Sequence, residues 1–140
     1  MGANDTGVIE AARAIRAYLP LLLGAPAAAT LDGRLTDELT GMSDDPAATV
    51  RQLRALLGAQ ENTAWFLSEV LRDAPEFRPP YHQPRYTRRQ TGGMAAPAGD
   101  VGPVWAARYA CPQGDYVWYR PDLATPVPAC PTHQVALARG

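Results

Sequence analysis

Apolar residues recur at helical spacing through the first half of the chain and at strand spacing only near its end. The first stripe is Ile9, Ala12, Ile15, Leu19 and Leu22, in steps of three and four, with Arg13 and Arg16 on the opposite, wet side. It predicts a helix from near Thr6 that Pro20 kinks or ends and that Gly24 and Pro26 close. Leu31, Leu35 and Leu39 predict a second helix over residues 30–41, weakened by Gly33. A third follows Asp45, a capping residue, with Pro46 at the first helical position, where its missing N–H costs nothing. Its buried face is Val50, Leu53, Leu56 and Leu57, and Gly58 stops it. Asn62 caps a fourth helix running to Arg72, in which Trp65, Phe66 and Val70 supply bulk to a core. Trp65 and Phe66 also suit an exposed partner-binding face.

Beyond Ala74 the periodicity stops. Pro75, Pro79, Pro80, Pro84, Pro97 and Pro103, with Gly92, Gly93, Gly99 and Gly102, read as a linker over residues 74–103. Inside it lies an aromatic and basic strip from Tyr81 to Arg89, which includes His82 and Arg85. It reads either as a solvated linker whose tyrosines pack on a neighbouring domain or as a docking strip for an acidic partner or a nucleic-acid backbone. Val104 to Ala110 and Tyr116 to Tyr119 alternate as strands, with Val117 and Tyr119 on one face and Tyr116 and Trp118 on the other. Pro112-Gln113-Gly114-Asp115 makes the turn between them, and Val135 to Leu137 adds a short last strand. The expected fold class is therefore α+β: a four-helix bundle-like domain over residues 1–73, then a small β-hairpin or zinc-ribbon-like module over residues 104–140.

Composition narrows the class of function. Hydrophobic residues make up 46% of the 140, enough for a core rather than a disordered chain. Thirteen basic and fourteen acidic residues leave a net charge of −1, which gives no electrostatic footprint for nucleic acid or an anionic membrane. All of the basic residues are Arg, in keeping with a GC-rich coding bias, so arginine content says little about function. The most apolar run, Leu19 to Ala29, is short and broken by Pro20, Gly24 and Pro26, so no membrane span is expected. Asp5 and Glu10 come too early for a secretory signal, which makes the cytoplasm the expected location and a disulfide the less favoured use of two thiols.

Chemistry concentrates between Cys111 and His133, which hold both cysteines and one of the two histidines. Cys130-Pro131-Thr132-His133 has the C-x-x-H spacing of a metal knuckle, where two ligands on a tight turn point at one ion. Cys111-Pro112-Gln113-Gly114 looks like half of another. A structural zinc wants four ligands. Cys111, Cys130 and His133 supply three, and Asp115 or His82 is the candidate fourth. A structural zinc, a metal-free ribbon-like fold and a Cys111–Cys130 disulfide all remain open at this point.

The runs Tyr109 to Arg120 and Pro126 to His133 resemble a C-terminal module of small actinobacterial accessory proteins. These belong to conflict or signalling systems of the vWA–MoxR and effector-associated kind. Ala12 to Gly24 is similar in flavour to their helical parts. Many of the related modules carry Gly after the last His, where this chain has Gln134. The resemblance implies an accessory or adaptor protein rather than an enzyme.

Neither a Gly-rich phosphate loop nor a nucleophile–base–acid set stands out. The leading expectation is thus a non-catalytic adaptor with a protein partner and no membrane. Its partner-binding residues would be Tyr116, Trp118, Tyr119, Arg120, Tyr81 and Arg85. One alternative is nucleic-acid binding through the ribbon. Trp118, Tyr116 and Tyr119 would stack on bases and Arg120 and Arg85 would touch phosphates, against the near-neutral charge. The other alternative is a small metal-dependent hydrolase with an incomplete zinc shell.

Overall fold

A computed structural model describes residues 3–42, 45–74, 76–83, 107–120 and 124–139. Its class is α+β, with the helices N-terminal and a small antiparallel sheet at the C-terminal end. The helices are α1 (Ala3–Ile15), α2 (Leu19–Leu23), α3 (Ala25–Thr40), α4 (Pro46–Gly58) and α5 (Glu61–Arg72). Among the described residues they number five rather than four because the first expected helix divides. Pro20 lies in the first turn of α2, where it needs no donor, so it opens a helix instead of bending one. Pro26 does the same for α3, which therefore starts ahead of the expected Thr30. Between them Gly24 takes a positive φ of 81°, a conformation glycine adopts freely. Asp45 caps α4 as expected, its side chain accepting from the Ala48 N–H at 3.2 Å.

The strands β1 (Ala107–Ala110), β2 (Val117–Arg120) and β3 (Ala138–Arg139) form one sheet in the order β2-β1-β3, antiparallel throughout. The β1–β2 hairpin pairs Ala110 with Val117, and an isolated bridge joins Ala129 to Ala136. The last strand falls just beyond the expected Val135 to Leu137, and residues 104–106 lie outside the described residues.

Helix α1 is the centre of the molecule. It packs on α3, α4 and α5 and also on β2. Val8, Ile9, Ala11, Ala12, Ala14 and Ile15 are all buried, so from Gly7 on the helix is covered over far more than one stripe. Val117 and Tyr119 of β2 belong to the same hydrophobic cluster as Leu35, Leu53, Leu57, Phe66 and Val70 of the helices. One core thus runs through both halves of the chain. This corrects two expectations. Arg16, read as a wet residue, is buried, because β2 and its flanking turns cover that side of α1. Tyr116 and Tyr119, read as partner contacts, are only 7% and 5% exposed, because Tyr119 packs into the helical core and Tyr116 into a second cluster with Cys111, Cys130 and Leu137.

Residues 76–83 are also fastened down, although the sequence places them in a linker. Phe77 is buried, Pro80–His82 forms a single 3-10 turn against α5, and the Gln83 amide donates to the Glu69 and Arg78 carbonyls at 2.8 Å. Tyr81 joins an aromatic cluster with Tyr18, Trp65 and Phe66, its ring 5.0 Å from that of Tyr18. Arg85 and the rest of the basic strip lie outside the described residues.

Candidate metal centre

Two short loops bring the chemistry together. In the first, which links β1 to β2, the Gly114 N–H bonds the Cys111 carbonyl and the Cys111 N–H bonds the Tyr116 carbonyl, both at 2.9 Å. Gly114 has φ 83°, which lets the chain turn back sharply. In the second, the Gln134 N–H bonds the Cys130 carbonyl at 2.7 Å and the Cys130 N–H bonds the Val135 carbonyl at 2.9 Å. Each cysteine N–H is therefore answered five residues on, and each loop aims its side chains inward. The Gln113 N–H also points at Cys111 Sγ, 3.4 Å away, as a donor that favours a thiolate.

The four side chains Cys111, Asp115, Cys130 and His133 present donor atoms that all lie within 4.8 Å of one another. Cys111 Sγ is 3.6 Å and Cys130 Sγ is 3.8 Å from His133 Nδ1. Cys130 Sγ is 3.7 Å from Asp115 Oδ1, and His133 Nδ1 is 3.3 Å from Asp115 Oδ2. A tetrahedral zinc with bonds of about 2.3 Å to sulfur and roughly 2.0–2.2 Å to nitrogen and oxygen would set its donors about 3.3–3.8 Å apart. These four separations fall in that range, while the cluster as a whole spreads to 4.8 Å, so small side-chain adjustments would close the set on one ion.

Burial adds a second argument. Asp115 is wholly buried, yet its Oδ2 makes no hydrogen bond. A buried carboxylate oxygen without a donor is costly, and a cation in this position would satisfy it. Cys111 and Cys130 are buried too and free of any disulfide, while His133 keeps 30% of its side chain exposed. Burial pushes the Cys111 thiol up to about 11, with the neighbouring Cys130 and Asp115 adding to the rise and the Gln113 N–H opposing it. This burial favours the protonated thiol, and a bound cation would favour the thiolate.

His82, the other fourth-ligand candidate, is elsewhere. Its Nε2 is 2.7 Å from the Tyr18 hydroxyl and its ring stacks on Tyr119 at 5.5 Å. Burial holds its pKa below the ordinary histidine value. Trp118 and Tyr109 pack beside Cys111 and Cys130 as the wall of the site, and Arg120 Nε donates to the Thr125 carbonyl. A cleft of about 520 Å³ borders Gln113 between Ile9, Glu10, Arg13, Leu39 and Met42, but none of the four donors lines it.

Sequence spacing misses the residue that ties this site to the helices, Arg16. Its place on the wet side of the expected first helix, one residue beyond the end of α1, gives no signal. No protein-family model, curated protein or solved structure matches the chain.

Proposed function

We propose that this protein is a zinc-stapled, non-catalytic adaptor. The observation that carries the reading is the convergence of Cys111, Asp115, Cys130 and His133, whose donor atoms lie within 4.8 Å of one another, with the buried Asp115 Oδ2 making no hydrogen bond. Two thiolates, a carboxylate and an imidazole suit zinc, whose structural sites are closed by four protein ligands. Four donors leave no coordination position for a substrate, which favours a structural role over the hydrolase alternative. The metal would hold the ribbon-like sheet together, as such ions do in modules too small to be stable alone. A reducing cytoplasm, which keeps both thiols available, is the compartment proposed for it.

For the adaptor role, support comes from the helical layer, where Leu21 and Trp65 are 73% and 40% exposed. These two exposed apolar side chains are the ones we assign to a protein partner. Among the described residues no helix is long and apolar enough to cross a membrane. The resemblance to accessory proteins of bacterial signalling or defence systems supplies the proposed setting. The nucleic-acid alternative loses support because two of the three rings it would stack on bases, Tyr116 and Tyr119, are in the core.

The test is the metal content of purified, untagged protein together with a thiol count. One zinc per chain, with both thiols unreactive until a chelator is added, is the expected result. Two freely reactive thiols and no metal, in protein purified without chelator and then offered zinc, would refute the reading.

A further inference from the structure

We infer that Arg16 is a positioning residue of the metal centre, holding the two ligand loops in register so that four donors on separate loops converge on one point. The inference rests on the zinc reading above. Arg16 leaves α1 and ends under the site with its side chain 2% exposed. Its NH1 donates to the Asp115 carbonyl at 2.8 Å, in the first loop. Its NH2 donates to Thr132 Oγ1 at 2.7 Å, in the second loop, between the ligands Cys130 and His133. Nε and NH2 also grip the Asp32 carboxylate of α3, at 2.6 and 3.2 Å. The guanidinium lies 5.4 Å from the Tyr116 ring centroid, a cation–π contact. One side chain therefore touches both loops and a second helix.

The arrangement around Asp115 is specific. NH1 bonds the Asp115 backbone oxygen and stands 3.6 Å from Oδ2, close enough to attract it but without a hydrogen bond. The lone pairs of Oδ2 stay available for a metal while its direction is fixed. Zinc with two thiolates, a carboxylate and a neutral imidazole forms a net negative complex, and the buried guanidinium offsets that charge. Asp32 is 37% exposed, so water screens its charge while its two oxygens orient the fork. Lysine cannot substitute, because a single ammonium does not span the Asp115 carbonyl, Thr132 and Asp32 together.

The test uses the full chain and zinc itself, with affinity read by competition against a chromogenic chelator and geometry read from the visible spectrum of the Co²⁺ form. In Arg16→Met zinc affinity is expected to fall about 10–100-fold and the cobalt ligand-field bands to change in position and intensity. Arg16→Lys is expected to stay weakened, in the same range. Thr132→Val removes one arm at an exposed position and is expected to weaken zinc about threefold to tenfold with the fold intact. Wild-type zinc affinity and an unaltered cobalt spectrum in Arg16→Met would overturn the inference, and so would full rescue by Lys. Should Arg16→Met not fold, unchanged affinity in Thr132→Val overturns it instead. A wild-type protein that takes up no zinc refutes the metal reading itself and is recognised before any variant is made.

Discussion

Replacing Asp115 by Asn exchanges one buried oxygen for an amide nitrogen at almost constant volume, so it isolates the carboxylate as a ligand. The side chain is wholly buried, within 3.3 Å of His133 Nδ1 and 3.7 Å of Cys130 Sγ. A structural zinc site is worth about 10–16 kcal/mol at neutral pH, shared among four ligands. Losing the anionic oxygen therefore costs about 3 kcal/mol, or two orders of magnitude in zinc affinity. In the metal-free protein the substitution also removes the charge that faces the buried Arg16 NH1 at 3.6 Å, so the chelated variant is expected to melt lower as well. The assay is a pair of thermal melts, one with zinc in excess and one with chelator, beside a zinc competition titration. Zinc should raise the melting temperature of the wild type far more than that of Asp115→Asn, each compared with its own chelated form. His82→Gln is the control, because His82 lies against Tyr18 and Tyr119, and its zinc affinity should equal the wild type's. Zinc binding by Asp115→Asn within threefold of wild type would refute the ligand assignment. Loss of zinc in His82→Gln would refute the geometry.

Three other consequences are open to measurement. His82 is held below its ordinary pKa of 6.5 by burial, so the folded state takes up its proton later than the unfolded chain. Its contribution to stability is complete above pH 6.5 and is lost as pH falls through the depressed value; His82→Gln should flatten the acid limb of a stability–pH curve, and an equally steep limb would count against this. Gln134 has φ 55°, a left-handed conformation that costs a side-chain-bearing residue about 1–2 kcal/mol and glycine nothing. After the entropy that glycine adds to the unfolded chain, Gln134→Gly should gain about 0.5–1 kcal/mol, a rise of roughly 1–3 °C in Tm by calorimetry; a fall would refute the strain. At Gly7 a methyl group would stand 2.6 Å from Phe77 Cε1 and 2.7 Å from Leu71 Cδ2. Gly7→Ala should lower the urea midpoint by the equivalent of about 1–3 kcal/mol despite its better helix propensity, and a raised midpoint would show that Phe77 does not close on α1.

The helices were legible because amphipathic periodicity is local: Leu31, Leu35 and Leu39 face inward and Asp45 caps α4 where the sequence places it, whereas Asn62, expected as a cap, lies inside α5 behind the N-cap Gln60. So were the two loops, since a C-x-x-H turn and a Pro-Gln-Gly-Asp turn are set by residues a few positions apart. Spacing also put Asp115 among the candidate ligands, but it could not choose between Asp115 and His82. That choice was made by β2 lying on α1, which carries Tyr119 onto His82 and leaves Asp115 pointing between the cysteines. Pro20 and Pro26 were legible as interruptions only; whether a proline ends one helix or opens the next depends on where the chain can pack again. Least legible was the burial of Arg16, Tyr116 and Tyr119. Sequence pattern assigns charge to water and aromatic strands to either face. A cation goes inside only when partners far along the chain are waiting for it, and here Asp32, Asp115 and Thr132 are brought to Arg16 by the tertiary fold.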